Sequence, residues 1–272
     1  MGNENGSHTG PTFTVPKEKI GFLEKIRRHV AEAHDIAKLA QEIKTLLPQP
    51  ASFNDLNAKL LDIHKRVTCA HNPSHALAFI RDMLHVTKNW GVEEDGAVFV
   101  EAGCFKGGST AKFSLIADLL KRPLYVFDSF EGLPDNSEDH TLSVMGHSIK
   151  GWFSKGNFSG RLDEVKYNIG QYGKLSVCKF FKGWFSDTMP GFKSPVAAAF
   201  LDVDLASSTR TCLQYLYPLL MPGGIICSQD GDFPLVIELF KDKSFWDDEM
   251  KNYPKPIIQG LGRKITRIIK PR

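Results

Sequence analysis

From Gly96 to the C-terminus, short runs of β-branched and aromatic residues alternate with longer segments of helical periodicity. Repeated strand-helix units of this kind build a parallel sheet with helices packed on its faces. We therefore predict an α/β fold with a doubly wound, mostly parallel sheet. The predicted strands span residues 97–101, 124–128, 176–181, 196–202 and 224–228, with edge strands near 256–259 and 264–269.

The helices predicted between these strands span 109–121, 161–172, 207–220 and 234–241. About thirty residues separate the second strand from the helix that begins at 161, which is more than a compact domain usually leaves without regular structure. This insertion carries Trp152, Phe153 and Phe158. We predict that it forms a lid or a substrate loop, because long surface loops often carry function.

The N-terminal third of the chain has a different character. Apolar residues recur at three- and four-residue steps over 17–47, and we predict two helices there, joined around His34. Two further helices are predicted over 53–67 and 74–90. Residues 1–15 are rich in Gly, Asn, Ser, Thr and Pro, and we predict that they are disordered. The predicted organisation is therefore a disordered N-terminus (1–15), a helical region (16–95) and a sheet domain (96–272).

Composition narrows the class of protein. The chain has 272 residues, 42% of them hydrophobic, and no stretch approaches the ~20 consecutive apolar residues that span a bilayer. The first residues lack the apolar core of a secretory signal, so we expect a cytoplasmic protein without a membrane partner. The five cysteines form no C-x-x-C pair and are expected to be reduced. A net charge of +3, with the basic residues spread along the chain, predicts no nucleic-acid partner, and a homo-oligomer is left open.

The strongest chemical motif is VFVEAGCFKGGST at residues 98–110. A buried strand ends in Glu101, and a glycine-rich turn lets a ligand approach the backbone and the first free N–H groups of a helix. Phe105 stands where the dinucleotide fingerprint would need glycine. An acid at this strand end suits the charged amino acid moiety of S-adenosylmethionine better than a pyrophosphate. A plain strand-to-helix turn is the alternative.

Acids also follow three other predicted strands. Asp128 ends the second strand, where a carboxylate can accept both hydroxyls of a ribose, although such an acid can instead cap a helix. Asp202, Asp204, Asp230 and Asp232 follow the fourth and fifth strands. The carboxyl ends of parallel strands meet at one edge, where these oxygens could bind Mg²⁺, Mn²⁺ or Ca²⁺. The alternative for Asp204 and Asp232 is that they cap the helices that follow.

Five strings in order, VEAGCFKGGST, VFDSFEGLP, FFKGWFSDTMP, LDVDLASST and MPGGIICSQD, resemble the macrocin O-methyltransferase family over about residues 96–245. The resemblance implies a Rossmann-like methyltransferase fold, S-adenosylmethionine as cofactor, and methylation of hydroxyls, notably on sugars of macrolide antibiotics. The cofactor-binding residues that it implies are Glu101, Gly103, Phe105, Gly107, Ser109, Asp128, Ser129, Gly183 and Trp184, the last two beside the adenine.

The resemblance also implies a divalent ion, Mg²⁺ or a similar one, bound by Asp202 and by the pair after the fifth strand, Gln229 and Asp230. The family usually has two adjacent acids at that pair. Gln229 leaves one carboxylate there, although its amide still offers a carbonyl oxygen, and Asp232 could substitute.

We therefore predict an enzyme, an S-adenosylmethionine-dependent O-methyltransferase that acts on a hydroxyl of a small molecule, a sugar or another natural-product-like acceptor. Asp202 is the predicted catalytic residue, as metal ligand or as base. All nine histidines precede residue 148, so a histidine base would come from the N-terminal helices or from His140 or His147. The open alternatives are an N-methyltransferase without a metal and a non-catalytic nucleoside-binding protein.

Overall fold

The computed structural model describes residues 22–90 and 96–272, so the predicted disordered segment 1–15 lies outside the described residues. The strands are β1 (Val98–Ala102), β2 (Leu124–Asp128), β3 (Cys178–Lys182), β4 (Val196–Leu201), β5 (Leu220–Ser228), β6 (Ile257–Gln259) and β7 (Thr266–Ile269). They form one sheet in the order β3-β2-β1-β4-β5-β7-β6. The first five strands pair in parallel and β7 is antiparallel to β5 and β6, which confirms the predicted mostly parallel sheet.

The helices are α1 (Phe22–Leu46), α2 (Phe53–Arg66), α3 (Pro73–Trp90), α4 (Gly108–Leu119), α5 (Leu162–Tyr172), α6 (Phe185–Thr188), α7 (Ala206–Leu219) and α8 (Pro234–Lys241). Short 3-10 turns lie at Pro50–Ser52 and Leu175–Val177, and a π-helical turn lies at Phe245–Glu249. No helix within the described ranges combines the length and the apolar character that crossing a bilayer requires.

The prediction of two helices joined around His34 is wrong, because α1 runs through His34 without a break. Ile26 and Val30, in its N-terminal half, are 46% and 62% exposed, whereas Ile43 near its end is buried. Ile26 and Val30 thus face solvent, whereas Ile43 faces the core. The break in the apolar pattern therefore does not mark the end of a helix.

Alternate side chains of the central strands point into two apolar layers. Phe99 and Phe200 pack in the layer that also contains buried residues of α1 to α5. Val98 and Val100 pack in the other layer, with buried residues of α7 and α8. Helices therefore cover both faces of the sheet, and α1 to α3 share the apolar layer that contains α4 and α5.

The carboxyl ends of β1, β2, β4 and β5 meet at one edge of the sheet, where the segments that follow them form the candidate site. The insertion, residues 129–160, starts at this edge and contains no helix; its one β-bridge joins Leu142 and Ser148. The insertion connects β2 to α5, and on the way it contacts the start of α7, where Glu138 accepts hydrogen bonds from the backbone of Ala206 and Ser207.

Candidate cofactor and metal site

A cavity of about 290 Å³ lies along this edge. Its wall includes six of the residues that the resemblance implies for cofactor binding: Gly103, Phe105, Asp128, Ser129, Gly183 and Trp184. Asp202 and Asp204 also line it, as do Leu133, Pro134 and Phe158 of the insertion. The sequence indicated the insertion as a candidate lid, but only its length and aromatic content pointed there, and neither feature identified Leu133 or Pro134.

The glycine loop between β1 and α4 is shaped by close backbone approach. Gly103 has φ +81°, and a Cβ on it would overlap the carbonyl oxygen of Asp202, so no larger residue fits between the ends of β1 and β4. Phe105 adopts a left-handed φ of 49°, which is unusual for a residue with a side chain. Such strained positions tend to occur at functional sites.

Asp128 connects the end of β2 to the glycine loop. Its Oδ2 accepts a hydrogen bond from the Cys104 N–H at 2.7 Å, and its Oδ1 accepts one from the Phe130 N–H at 2.6 Å. Burial raises the pKa of this carboxyl group, and the backbone N–H donors act in the opposite direction. The carboxylate therefore holds the loop in place from the edge of the cavity.

Three residues implied for cofactor binding, Glu101, Gly107 and Ser109, are not on the cavity wall. Glu101 is fully buried, and its carboxylate oxygens accept no well-formed hydrogen bond within the described residues, although the Ser109 and Thr110 hydroxyls lie near enough to act on the carboxylate. Burial raises the pKa of Glu101 to about 7, while the hydroxyls of Ser109 and Thr110, in the first turn of α4, act to lower it. Glu101 is thus a buried acid without a cationic partner in direct contact.

Three carboxylates come together beside the cavity. Asp202, Asp204 and Asp230 each offer an oxygen that lies within 4.8 Å of the other two. Asp204 has a left-handed φ of 62°, and Asp230 Oδ2 accepts hydrogen bonds from the N–H groups of Val203 and Asp204 at 3.1 and 2.9 Å. Asp230 Oδ1 is buried and accepts no hydrogen bond from any described residue.

The electrostatics of this cluster favour a cation. Burial and repulsion from Asp230 raise the pKa values of Asp202 and Asp204 well above the ordinary aspartate value. Burial also raises the pKa of Asp230 to about 6, although the Lys264 ammonium acts in the opposite direction. A bound cation would relieve the repulsion that these groups share.

Gln229 and Asp232, the other residues predicted as possible metal ligands, have different partners. The Gln229 amide nitrogen contacts His75 Nδ1 at 3.3 Å, so this side chain turns toward α3. Asp232 Oδ1 pairs with Lys264 Nζ at 3.2 Å. Of the predicted ligand set, the structure therefore brings Asp202 and Asp230 together, and Asp204 takes the third position.

None of the histidines in the described part of the chain lines the cavity. His140 Nε2 lies 3.0 Å from Glu138 Oε2, and its ring packs edge-on against Phe153. His75 contacts Gln229, and burial lowers its pKa. Either histidine would have to move before it could accept a proton from a ligand in the cavity.

Solved structures of methyltransferases share this fold. The O-methyltransferase NovP superposes with a TM-score of 0.55 at 24% identity, over 72% of this chain and 79% of that chain. The calicheamicin methyltransferase CalS11 superposes with a TM-score of 0.55 at 16% identity, over 86% of this chain and 91% of that chain. The fold is therefore the Rossmann-like methyltransferase fold predicted from the sequence.

Two curated relatives are similar in sequence. The 8-demethyl-8-(2,3-dimethoxy-alpha-L-rhamnosyl)-tetracenomycin-C 4'-O-methyltransferase of Streptomyces olivaceus is 34% identical over 137 residues, 48% of this chain and 51% of that protein. The mycinamicin III 3''-O-methyltransferase of Micromonospora griseorubida is 30% identical over 159 residues, 56% of this chain and 63% of that protein. The chain thus spans 51% and 63% of the lengths of these two relatives.

A family sequence model matches more of the chain than either of these two pairwise alignments does. The sequence model described as Macrocin-O-methyltransferase (TylF) matches residues 24–250. This range contains strands β1 to β5 and helices α2 to α8, together with all of α1 except its first two residues. The chain therefore belongs to the macrocin-O-methyltransferase family.

Proposed function

We propose that the chain is an S-adenosylmethionine-dependent O-methyltransferase that methylates a hydroxyl of a small natural product, on a sugar or on an aglycone. The observation that carries this proposal is the cavity in which the glycine loop, Asp128 and the acidic cluster meet. Family membership and relatives named for O-methylation of rhamnosyl-tetracenomycin and mycinamicin support the reaction and the acceptor class.

The chain's residues fit the cofactor. Both oxygens of Asp128 already accept one backbone hydrogen bond, and each keeps a lone pair that can accept a ribose hydroxyl. Gly103 lines the cavity without a side chain, and Gly183 and Trp184 offer a surface for the adenine. Glu101, together with Gly107 and Ser109, lies behind this wall, where its carboxylate can attract the ammonium of the methionine moiety.

The chain's residues also fit a divalent ion. Asp202, Asp204 and Asp230 would hold it, because their oxygens converge and Asp230 Oδ1 has no other partner among the described residues. Gln229 would join them only after its amide turned away from His75. Oxygen ligands suit Mg²⁺ and Mn²⁺, and such an ion, when bound, lowers the pKa of an acceptor hydroxyl.

Within this site the residues of the chain would orient the acceptor and take up the proton of its hydroxyl. An acceptor oxygen that the chain holds in line with the sulfonium methyl group would displace a neutral thioether as the S–CH3 bond breaks. The leaving group then needs no acid, and orienting the acceptor supplies a large part of the rate enhancement. Asp202 is on the cavity wall and its pKa is raised, which suits a group that takes up the hydroxyl proton. We propose Asp202 as metal ligand or as this base.

The experiment combines ligand binding with turnover. Calorimetry should detect S-adenosylhomocysteine, and a panel of glycoside and phenol acceptors should yield methylated product that EDTA abolishes and Mg²⁺ restores. Asp202→Asn should abolish turnover but keep cofactor binding, whereas Asp187→Asn, at an acid in α6, should retain both. No binding of S-adenosylhomocysteine would overturn the proposal.

Two rival functions predict different results in the same assay. Methylation of amines only, unaffected by EDTA, would favour an N-methyltransferase. Tight S-adenosylhomocysteine binding without turnover of any acceptor would favour a nucleoside-binding protein. Full turnover of hydroxyls in EDTA would retain the O-methyltransferase but remove the metal, and Asp202 would then act as base.

A further inference from the structure

The insertion and the first turn of α7 both form part of the cavity wall. Leu133, Pro134 and Phe158 come from the insertion, and Ser207 and Ser208 come from α7. The insertion has no helix and a single β-bridge, so its position depends on contacts with the rest of the molecule. These contacts therefore keep the insertion's part of the wall in place.

Glu138 makes the most extensive polar contact between the insertion and α7. Its Oε2 accepts a hydrogen bond from the Ala206 N–H at 2.8 Å. Its Oε1 accepts two from Ser207, from the N–H at 2.8 Å and from the hydroxyl at 2.6 Å. His140 Nε2 lies 3.0 Å from Oε2, so both oxygens are engaged.

This carboxylate supplies a cap that α7 otherwise lacks. The residue before the helix is Leu205, which provides no side-chain cap, and the first N–H groups of any helix need external acceptors. Asp204 lies two residues before the helix and belongs to the acidic cluster. Glu138 therefore fixes the same short segment that positions Asp204.

Two further contacts attach the insertion near the cluster. The side chain of His140 is 2% exposed, and its ring lies 4.7 Å from the ring of Phe153 and 6.0 Å from that of Phe233. The Val144 N–H donates to the carbonyl oxygen of Asp232 at 2.9 Å. The insertion thus reaches the segments after both β4 and β5, which carry the acids.

We propose that Glu138 is a positioning residue that holds the insertion against α7, keeps the insertion's part of the cavity wall in place and fixes Asp204 in the acidic cluster. This inference rests on the proposed cofactor site. Glu138 remains ionised at neutral pH: burial acts to raise its pKa, but hydrogen bonds from His140, Ser207 and Ala206 outweigh burial and lower the pKa to about 2.

The chain offers a matched control. Glu32 of α1 caps α3 in the same way, accepting hydrogen bonds from the Ser74 N–H at 3.0 Å and from the Ser74 hydroxyl at 2.9 Å. Its one other hydrogen bond within the described residues comes from the Asn72 amide at 3.3 Å, and none comes from the insertion. Glu32→Ala and Glu138→Ala therefore each remove a carboxylate that caps a helix from a distant part of the chain. Only the second should release the cavity wall.

The test measures hydrogen exchange of the ligand-free protein and the dissociation rate of S-adenosylhomocysteine. In Glu138→Ala we expect amides of 129–160 and of the first turn of α7 to exchange about tenfold faster, and the ligand to dissociate about tenfold faster. Glu138→Gln, which keeps one acceptor oxygen, should lie between this variant and the wild type. Glu32→Ala should accelerate exchange in α3 only and keep the wild-type dissociation rate.

Unchanged exchange over 129–160 in Glu138→Ala would overturn the proposal, as would an equal increase in ligand dissociation in Glu32→Ala. If Glu138→Ala did not fold, Glu138→Gln would decide by the same two measurements. If the wild type did not bind S-adenosylhomocysteine, the proposed function would fail. The exchange experiment would still show whether Glu138 holds the insertion.

Discussion

At the scale of single residues, Asp128 combines a structural contact with a proposed cofactor contact. Asp128→Asn keeps the shape of the side chain but removes its charge, so it should weaken the hydrogen bonds to the ribose, which are worth roughly 1.5–3 kcal/mol when one partner is charged. We expect S-adenosylhomocysteine to bind at least about tenfold more weakly by calorimetry. Asp118→Asn, at the partly exposed acid of α4, is the control. Wild-type affinity in a folded Asp128→Asn protein would contradict this role.

Glu101 leads to a prediction about pH. Because its pKa in the folded chain is about 7, Glu101 is protonated below this pH and ionised above it. The affinity for S-adenosylhomocysteine should therefore fall as the pH drops below 7, since a neutral acid does not attract the ligand's ammonium. The ligand-free protein should lose stability as the pH rises from the ordinary glutamate range through 7, because the folded chain holds this proton more tightly than the unfolded chain.

The control for the pH prediction is Glu101→Gln, which has no proton to lose at this position. Its affinity for S-adenosylhomocysteine should stay flat across the interval around pH 7, measured by the same calorimetry. Parallel pH profiles for the wild type and Glu101→Gln would show that another group titrates.

Sequence reasoning identified site residues that directly follow a strand. Asp128 and Asp202 were predicted because the carboxyl ends of parallel strands meet at one edge, and both line the cavity. For Asp204 the sequence allowed two interpretations, a metal ligand or a helix cap. Its place in the cluster depends on a left-handed backbone conformation that the sequence does not reveal. The contacts of Glu138 could not be predicted from local sequence, because its partners on α7 are 68 and 69 residues away along the chain.

At the scale of secondary structure, the contact between the α2–α3 connection and the start of α4 is tight enough to test. A Cβ on Gly108 would overlap Cys69 Sγ, so Gly108→Ala should destabilise the fold by about 1–3 kcal/mol through overpacking. Adding Cys69→Ala should recover most of the loss, because the obstructing atom is the end of a side chain. Urea unfolding measures both variants.

Gly191→Ala is the control for this pair of substitutions, because a Cβ there meets no atom within 4 Å. It should change the free energy of unfolding little. If Cys69→Ala gave no recovery in the Gly108→Ala background, the Cys69 side chain would not be the obstacle, and the backbone of the connection would be responsible.

Elements with strong local signals were predicted well. Strand β2 and helix α8 have the predicted bounds, because Pro234 fixes the helix start and β2 is a short apolar run that ends in an acid. The short helix α6 and the π-helical turn at Phe245–Glu249 were missed, since segments of four or five residues carry too little periodicity. The error at His34 arose because Ile26 and Val30 face solvent, which no pattern reveals.

At the scale of the whole molecule, a buried ion pair joins the N-terminal helices to the C-terminal strand. Asp82 of α3 accepts a hydrogen bond from Arg267 of β7 at 2.7 Å and one from the Cys227 thiol of β5 at 3.0 Å, and it pairs with Arg81 at 2.7 Å. Asp82→Ala would leave the Arg267 guanidinium, whose side chain is 19% exposed, without this carboxylate, and the cost should be about 3 kcal/mol, the lower end of the range for a broken buried pair. We expect a loss of this size in denaturant unfolding.

Two measurements accompany this variant. Asp82→Ala combined with Arg267→Met should recover part of the loss, because the Arg267 charge is then removed and Arg81 keeps Glu42 as a partner at 3.4 Å. Circular dichroism and tryptophan fluorescence should report one coincident transition, since α1 to α3 share an apolar layer with the sheet. Two separate transitions would indicate that the helices fold apart from the sheet.

The cap on α7 also affects the charge that the site can accept. In many α/β proteins a free helix N-terminus beside the sheet edge attracts phosphate. Here Glu138 occupies the N–H groups of Ala206 and Ser207, and three carboxylates stand beside them, more negative charge than one divalent ion carries. A phosphorylated or nucleotide-linked sugar would be repelled at this end of the cavity. We therefore expect this end of the cavity to accept uncharged acceptors, such as glycosides, better than phosphorylated ones.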